Sequence, residues 1–85
     1  MPNRFSRADL QAALEYVNAN MNQLISGSGT MDLAQEIHRI SQPHGGVLNV
    51  ANITDDEAED LWDQVQSIAR QNFQVWDLKG FKVED

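Results

Sequence analysis

The chain predicts a mainly α fold: a compact three-helix bundle, with room for a minor two-stranded β-ribbon, built as one small domain over residues 1–85. Three observations predict it. Leu10, Leu14, Val17, Met21 and Leu24 recur at steps of four and three. Glycine- and proline-containing breaks interrupt the chain at Ser26-Gly27-Ser28-Gly29 and at Pro43-His44-Gly45-Gly46. A second apolar stripe opens directly behind a Thr54-x-x-Glu57 motif, the sequence mark of a helix start.

Each helix is justified locally. Ser6 is a good N-cap, with Asp9 three residues on and Phe5 and Leu10 spaced as a hydrophobic staple. The stripe that follows, with Ala13 and Ile25, faces a core, while Gln11, Glu15, Asn18 and Asn22 fall opposite, so the first helix spans about residues 7–25. Thr30 is positioned to cap a second helix over about 31–41, in which Leu33, Ala34, Ile37 and Ile40 share a face. Val47–Ile53 is short and β-branched, and reads as a strand or an extended connector. In the third helix Ala58, Leu61, Trp62, Val65, Ile68, Ala69, Phe73 and Trp76 form a broad stripe, carrying it to about residue 72 or on to 78. Gly80 would then cap it, with Phe81 folding back. The competing reading makes Gln74–Leu78 a strand paired with Val47–Val50, the origin of the β-ribbon.

Composition bounds the function. With 41% hydrophobic and 22% charged residues the chain is of ordinary globular type. A domain this small is marginal when folded alone, so a homo-oligomer or a bound partner is a live expectation. There is no cysteine, which excludes disulfides, thiolate chemistry and Cys-ligated zinc. No apolar run reaches membrane-spanning length and the N-terminus lacks a secretory signal, so the expected location is cytoplasmic. The formal net charge is −7 and unevenly placed: residues 1–44 carry three cations and four acids, residues 45–85 three cations and nine acids. No basic patch is available to displace counterions, so direct nucleic-acid binding is not expected, and a basic protein surface is the better electrostatic match.

The acids concentrate in Asp55-Asp56-Glu57-Ala58-Glu59-Asp60-Leu61-Trp62-Asp63. Asp55, Asp56 and Glu57 suit the positive end of a helix dipole. That benefit fades beyond the first turn and leaves Asp60 and Asp63 unexplained. On a helical projection Asp56, Glu59, Asp60 and Asp63 lie together, opposite Leu61, Val65 and Ala69. The pairs Asp56–Asp60 and Glu59–Asp63 repel, each at a few tenths of a kcal/mol. A stability-driven surface would mix in lysines. These four, with Trp62 as an aromatic anchor, are the candidate partner-binding residues; a solvated face with no partner is the competing reading. The acids are contiguous and lack the alternation and turn glycine of a calcium loop.

Other constellations are weaker. His38 and His44 have no convergent ligands for zinc, so no metal site is expected. His44-Gly45-Gly46 lacks any nucleophile turn to serve. Gly27-Ser28-Gly29-Thr30 has neither the lysine nor the spacing of a phosphate loop. Glu15 and Tyr16 have no placed partner for acid–base work. The expectation is a non-enzymatic, cofactor-free, acidic protein-binding domain. Its sharpest form is an inhibitor or regulator that occupies a partner's nucleic-acid- or phosphate-binding surface by mimicking its charge, a size and charge profile shared by small phage and mobile-element inhibitors. Two alternatives stand beside it: a self-assembling structural subunit using the first-helix stripe or an exposed tryptophan, and a nucleotide-type ligand binder using Arg4, Arg7 or Arg39 at a subunit interface.

Overall fold

In a computed structural model, which describes residues 5–25, 27–81, 83 and 84, the Ser6 hydroxyl accepts from the Asp9 amide at 3.0 Å and starts α1 (Arg7–Ala19). The expected first helix is longer than the observed one. Asn20 ends it: its side-chain amide donates to Tyr16 O at 2.9 Å and its backbone N–H to Val17 O at 3.2 Å, taking carbonyls that further α-turns would use. The chain tightens into a 3₁₀ turn, Met21–Gln23, which still delivers Leu24 to the core. Ile25, expected inside, is 55% exposed.

Helix α2 (Thr30–Ser41) begins one residue before its expected start, so Thr30 is its first residue and Gly29 its cap. Gly29 has φ of +108°, a conformation that a side chain would strain. A 3₁₀ turn, Gln42–His44, with Pro43 inside it, closes the segment.

No strand occurs among the described residues, so the minor β-ribbon is a correction. On one side, the Val50 amide donates to Gln11 Oε1, and the Ala51 and Asn52 amides to the side chain and backbone oxygens of Asn49. Those bonds wind Val50–Asn52 into a 3₁₀ turn and leave no free ladder there. On the other side, residues 73–78 are helical.

Helix α3 (Asp55–Gln71) is broken from α4 (Phe73–Leu78) by Asn72. The Asn72 amide group donates to Ile68 O at 2.9 Å and to Ser28 Oγ at 3.3 Å, while its oxygen accepts from the Ile25 amide at 2.8 Å. The break redirects the chain, so Trp76 is fully buried and Phe73, expected in the stripe, is 54% exposed.

Helix α3 packs on both α1 and α2. Its Leu61, Val65 and Ile68 are wholly inside with Leu10 of α1 and Leu33 of α2, each such side chain contributing about 1.5–3 kcal/mol by burial. Tyr16 meets Trp76 edge-on at 5.3 Å, and Phe81 lies against both. Phe81 reaches them because Gly80, at φ +74°, turns the chain back after α4 as the sequence indicates. The returning segment then crosses α3: Glu84 N donates to Gln66 Oε1 at 2.7 Å, and the Trp62 indole N–H donates to Glu84 Oε1 at 2.8 Å. Among the described residues no helix is long and apolar enough to cross a membrane.

Candidate functional site

The amino end of α3 is fixed before any of its acids can act. The Thr54 hydroxyl accepts from the Glu57 amide at 3.1 Å, and the Glu57 carboxylate accepts from the Thr54 amide at 3.0 Å. This reciprocal pair satisfies two of the free N–H groups at the helix start. Arg7 of α1 clamps the same corner. Its guanidinium donates to Val50 O, to Ile53 O at 2.9 Å and to Asp55 Oδ1 at 2.6 Å. Asp55 is thereby neutralised, and Glu57 is committed to the cap.

The remaining four acids emerge on the side of α3 away from Leu61, Val65 and Ala69. Asp56, Asp60 and Asp63 are exposed and Glu59 is half-buried. The structure therefore brings together the four carboxylates singled out by the projection. They are not all idle. Asp60 accepts from the Gln64 side chain at 3.1 Å, and Glu59 and Asp63 each take part in interactions within the chain.

Trp62 does not belong with them. It is 2% exposed, its ring stacks on Phe5 at 4.6 Å, and its indole N–H is held by Glu84. An aromatic anchor ringed by acids is absent from this face, because α3 turns Trp62 toward the core and the returning C-terminal segment covers it. Trp76 and the α1 stripe are buried as well.

Helix α2 enlarges the acidic surface. Asp32 and Glu36, one turn apart, line a polar groove of about 490 Å³ between α2 and α3, together with Gln35, Arg39 and Gln64. Arg39 forks onto Glu36, with Nε to Oε2 at 3.2 Å and a second, shorter bond from Nη2. The hydrogen bond to Arg39 holds the Glu36 carboxyl below its ordinary value against the opposing effect of burial. The same bond, then the Glu36 charge, raises the Arg39 guanidinium, and Glu57 and Asp60 of α3 add to the rise. Arg39 thus sits in the field of both helices. Sequence reasoning did not attach Asp32 and Glu36 to this surface, although their four-residue spacing marks them as neighbours on one side of α2.

Neither arginine offered for a phosphate is idle: Arg7 is spent on two carbonyls and Asp55, Arg39 on Glu36. Arg4 lies outside the described residues. His38 and His44 are exposed, and among the described residues no group of three or more His, Asp or Glu side chains is placed to hold a metal ion. The arrangement defines a small helical domain with an acidic outer face. No family model, curated protein or solved structure matches the chain.

Proposed function

We propose that this chain is a non-enzymatic binding domain, a bundle of its three longer helices, whose α3 presents Asp56, Glu59, Asp60 and Asp63 to a basic surface on a partner protein. The observation that carries the reading is the exposure of the outer side of α3. Asp55 and Glu57 serve the fold, through Arg7 and the Thr54 cap. Asp56, Asp60 and Asp63 stay exposed on a helix whose opposite side is locked into the core. Asp56 and Asp60 are like charges four residues apart, a spacing that costs stability, and a partner rich in arginine and lysine offsets that cost on docking. A regulator or inhibitor that covers a nucleic-acid- or phosphate-binding site fits this chemistry, since such sites are basic by necessity.

The contact is made by carboxylates alone, without an aromatic anchor. It should therefore form fast and weaken as salt rises. The test is comparative capture. Wild-type protein and the D56N/E59Q/D60N/D63N variant are immobilised in parallel, challenged with extract from the native host, and the retained proteins identified by mass spectrometry. A basic protein held by the wild type and lost by the variant, with helicity by circular dichroism unchanged, supports the proposal. Equal retention by both overturns it.

A further inference from the structure

A cation is already seated within the acidic surface. Arg39 of α2 lies in the groove of about 490 Å³ between α2 and α3, and it is the one cation among the described residues that line it, beside Asp32 and Glu36. Its guanidinium meets the Glu36 carboxylate side-on: Nε donates to Oε2 at 3.2 Å, and Nη2 donates to Oε1. Two parallel N–H bonds to one carboxylate are a pairing that a planar guanidinium makes and an ammonium does not. The groove thus holds the same head group that an arginine-rich partner would bring.

The seat is shared by two helices, and its occupant is loosely held. The Glu36 side chain is 22% exposed and that of Arg39 is 65% exposed. The carboxylate is therefore set into the wall, and the guanidinium reaches it from the solvent side. Glu57 and Asp60 of α3 also act on Arg39, from the opposite wall. An ion pair this open is worth about fivefold at most in an equilibrium, so a second guanidinium can exchange with it.

We propose that Arg39 is an internal stand-in for an arginine of the partner protein, which takes over the Glu36 carboxylate on docking while Arg39 swings out into water. The proposal rests on the reading of α3 as a docking face and extends that face across the groove to α2. In the free chain Arg39 screens the groove, which lowers affinity for any cation. The exchange favours a partner whose arginine can form the fork over one that is merely positive.

Calorimetric titration of the full chain with nona-arginine and with nona-lysine, at an ionic strength of about 0.15 M, tests this. The R39Q and R70Q variants each remove one positive charge. Arg70, on the last turn of α3, lies about 10 Å of helix rise beyond Asp63, further than the Debye length at that salt. R39Q should bind nona-arginine about threefold to fivefold more tightly than wild type, the scale of the released pair. R70Q should stay within about 1.5-fold of wild type. The gain from R39Q should be smaller on nona-lysine, and should shrink below about twofold in the E36Q background. Both arginines are exposed, so far-ultraviolet circular dichroism should not change. R39Q no tighter than R70Q, or an equal gain on the two peptides, overturns the proposal. The D56N/E59Q/D60N/D63N variant separates the two readings. If it loses nona-arginine while R39Q matches R70Q, the exchange at Glu36 fails and the α3 face stands. If it binds as wild type does while R39Q still gains, the α3 face fails and the exchange at Glu36 is supported.

Discussion

Asn72 commits its whole side-chain amide to one junction, donating to Ser28 Oγ and Ile68 O and accepting from Ile25 N, at 5% exposure. Removing the amide strands the Ile25 N–H and loosens the joint between α3 and α4. Asn72→Ala should therefore cost about 1–3 kcal/mol in chemical denaturation, with faster hydrogen exchange at Ile25. Tyr16 is the opposite case. Its hydroxyl is buried and finds no hydrogen-bond partner among the described residues, while its ring packs against Trp76 and Phe81. A buried hydroxyl without a partner is a net cost, so Tyr16→Phe should leave stability unchanged or raise it by about 1 kcal/mol, read from the same denaturation curves.

Glu36 supplies the pH dependence at this scale. Its carboxyl is held below the ordinary glutamate value, first by the hydrogen bond from Arg39. A depressed folded value means that the pair stabilises fully above the ordinary value and that the contribution is lost as pH falls through the depressed one. An NMR titration of the Glu36 carboxyl should have its midpoint below that of an ordinary glutamate, and Arg39→Gln should move it upward. A midpoint unmoved by that substitution would assign the shift to another cause.

At the scale of elements, Phe81, Val83 and Glu84, beyond Gly80, are half-buried against the core. Phe81 fills the corner made by Tyr16 and Trp76, and Glu84 closes over Trp62 and Gln66. A chain ending at Gly80 should show tryptophan emission shifted to the red and a lower midpoint of unfolding, because both indoles lose cover. Emission unchanged from the full chain would contradict this account of the segment. The same element explains why Trp62 misled the sequence reading. Its place beside Glu59 and Asp63 was visible, but the bond that shields it comes from a residue twenty-two positions away.

Local signals were legible where one residue settles one geometry. The Ser6 cap, the Thr54/Glu57 box, the glycine exits and the turn at Gly80 all stand where their chemistry puts them. The break at Asn20 was not legible, since apolar spacing runs straight through it; the break at Asn72 was legible only as one of two endings, about residue 72 or 78. Only the tertiary partners of Asn72, Ile25 and Ser28, turn it from a tolerated helical residue into a hinge. The β-branched run at 47–53 suffered likewise: its Val50, Ala51 and Asn52 amides were claimed by Gln11 and Asn49, and no propensity scale registers that.

For the whole molecule, the account places Asp56, Glu59, Asp60 and Asp63 along the amino-terminal half of α3, on a chain of net charge −7. The projection of Asp56, Glu59, Asp60 and Asp63 onto one side was readable from spacing alone. Their extension across the groove to Asp32 and Glu36 needed the packing of α2 on α3.

The most direct measurement is a calorimetric titration of the captured partner with wild-type protein and with D56N/E59Q/D60N/D63N, at low and at high salt. The account predicts wild-type affinity that falls steeply as salt rises, and a variant weaker by about tenfold or more at low salt, as expected when several charges at a contact are removed together. Equal affinities for the two proteins, with no dependence on salt, would contradict it.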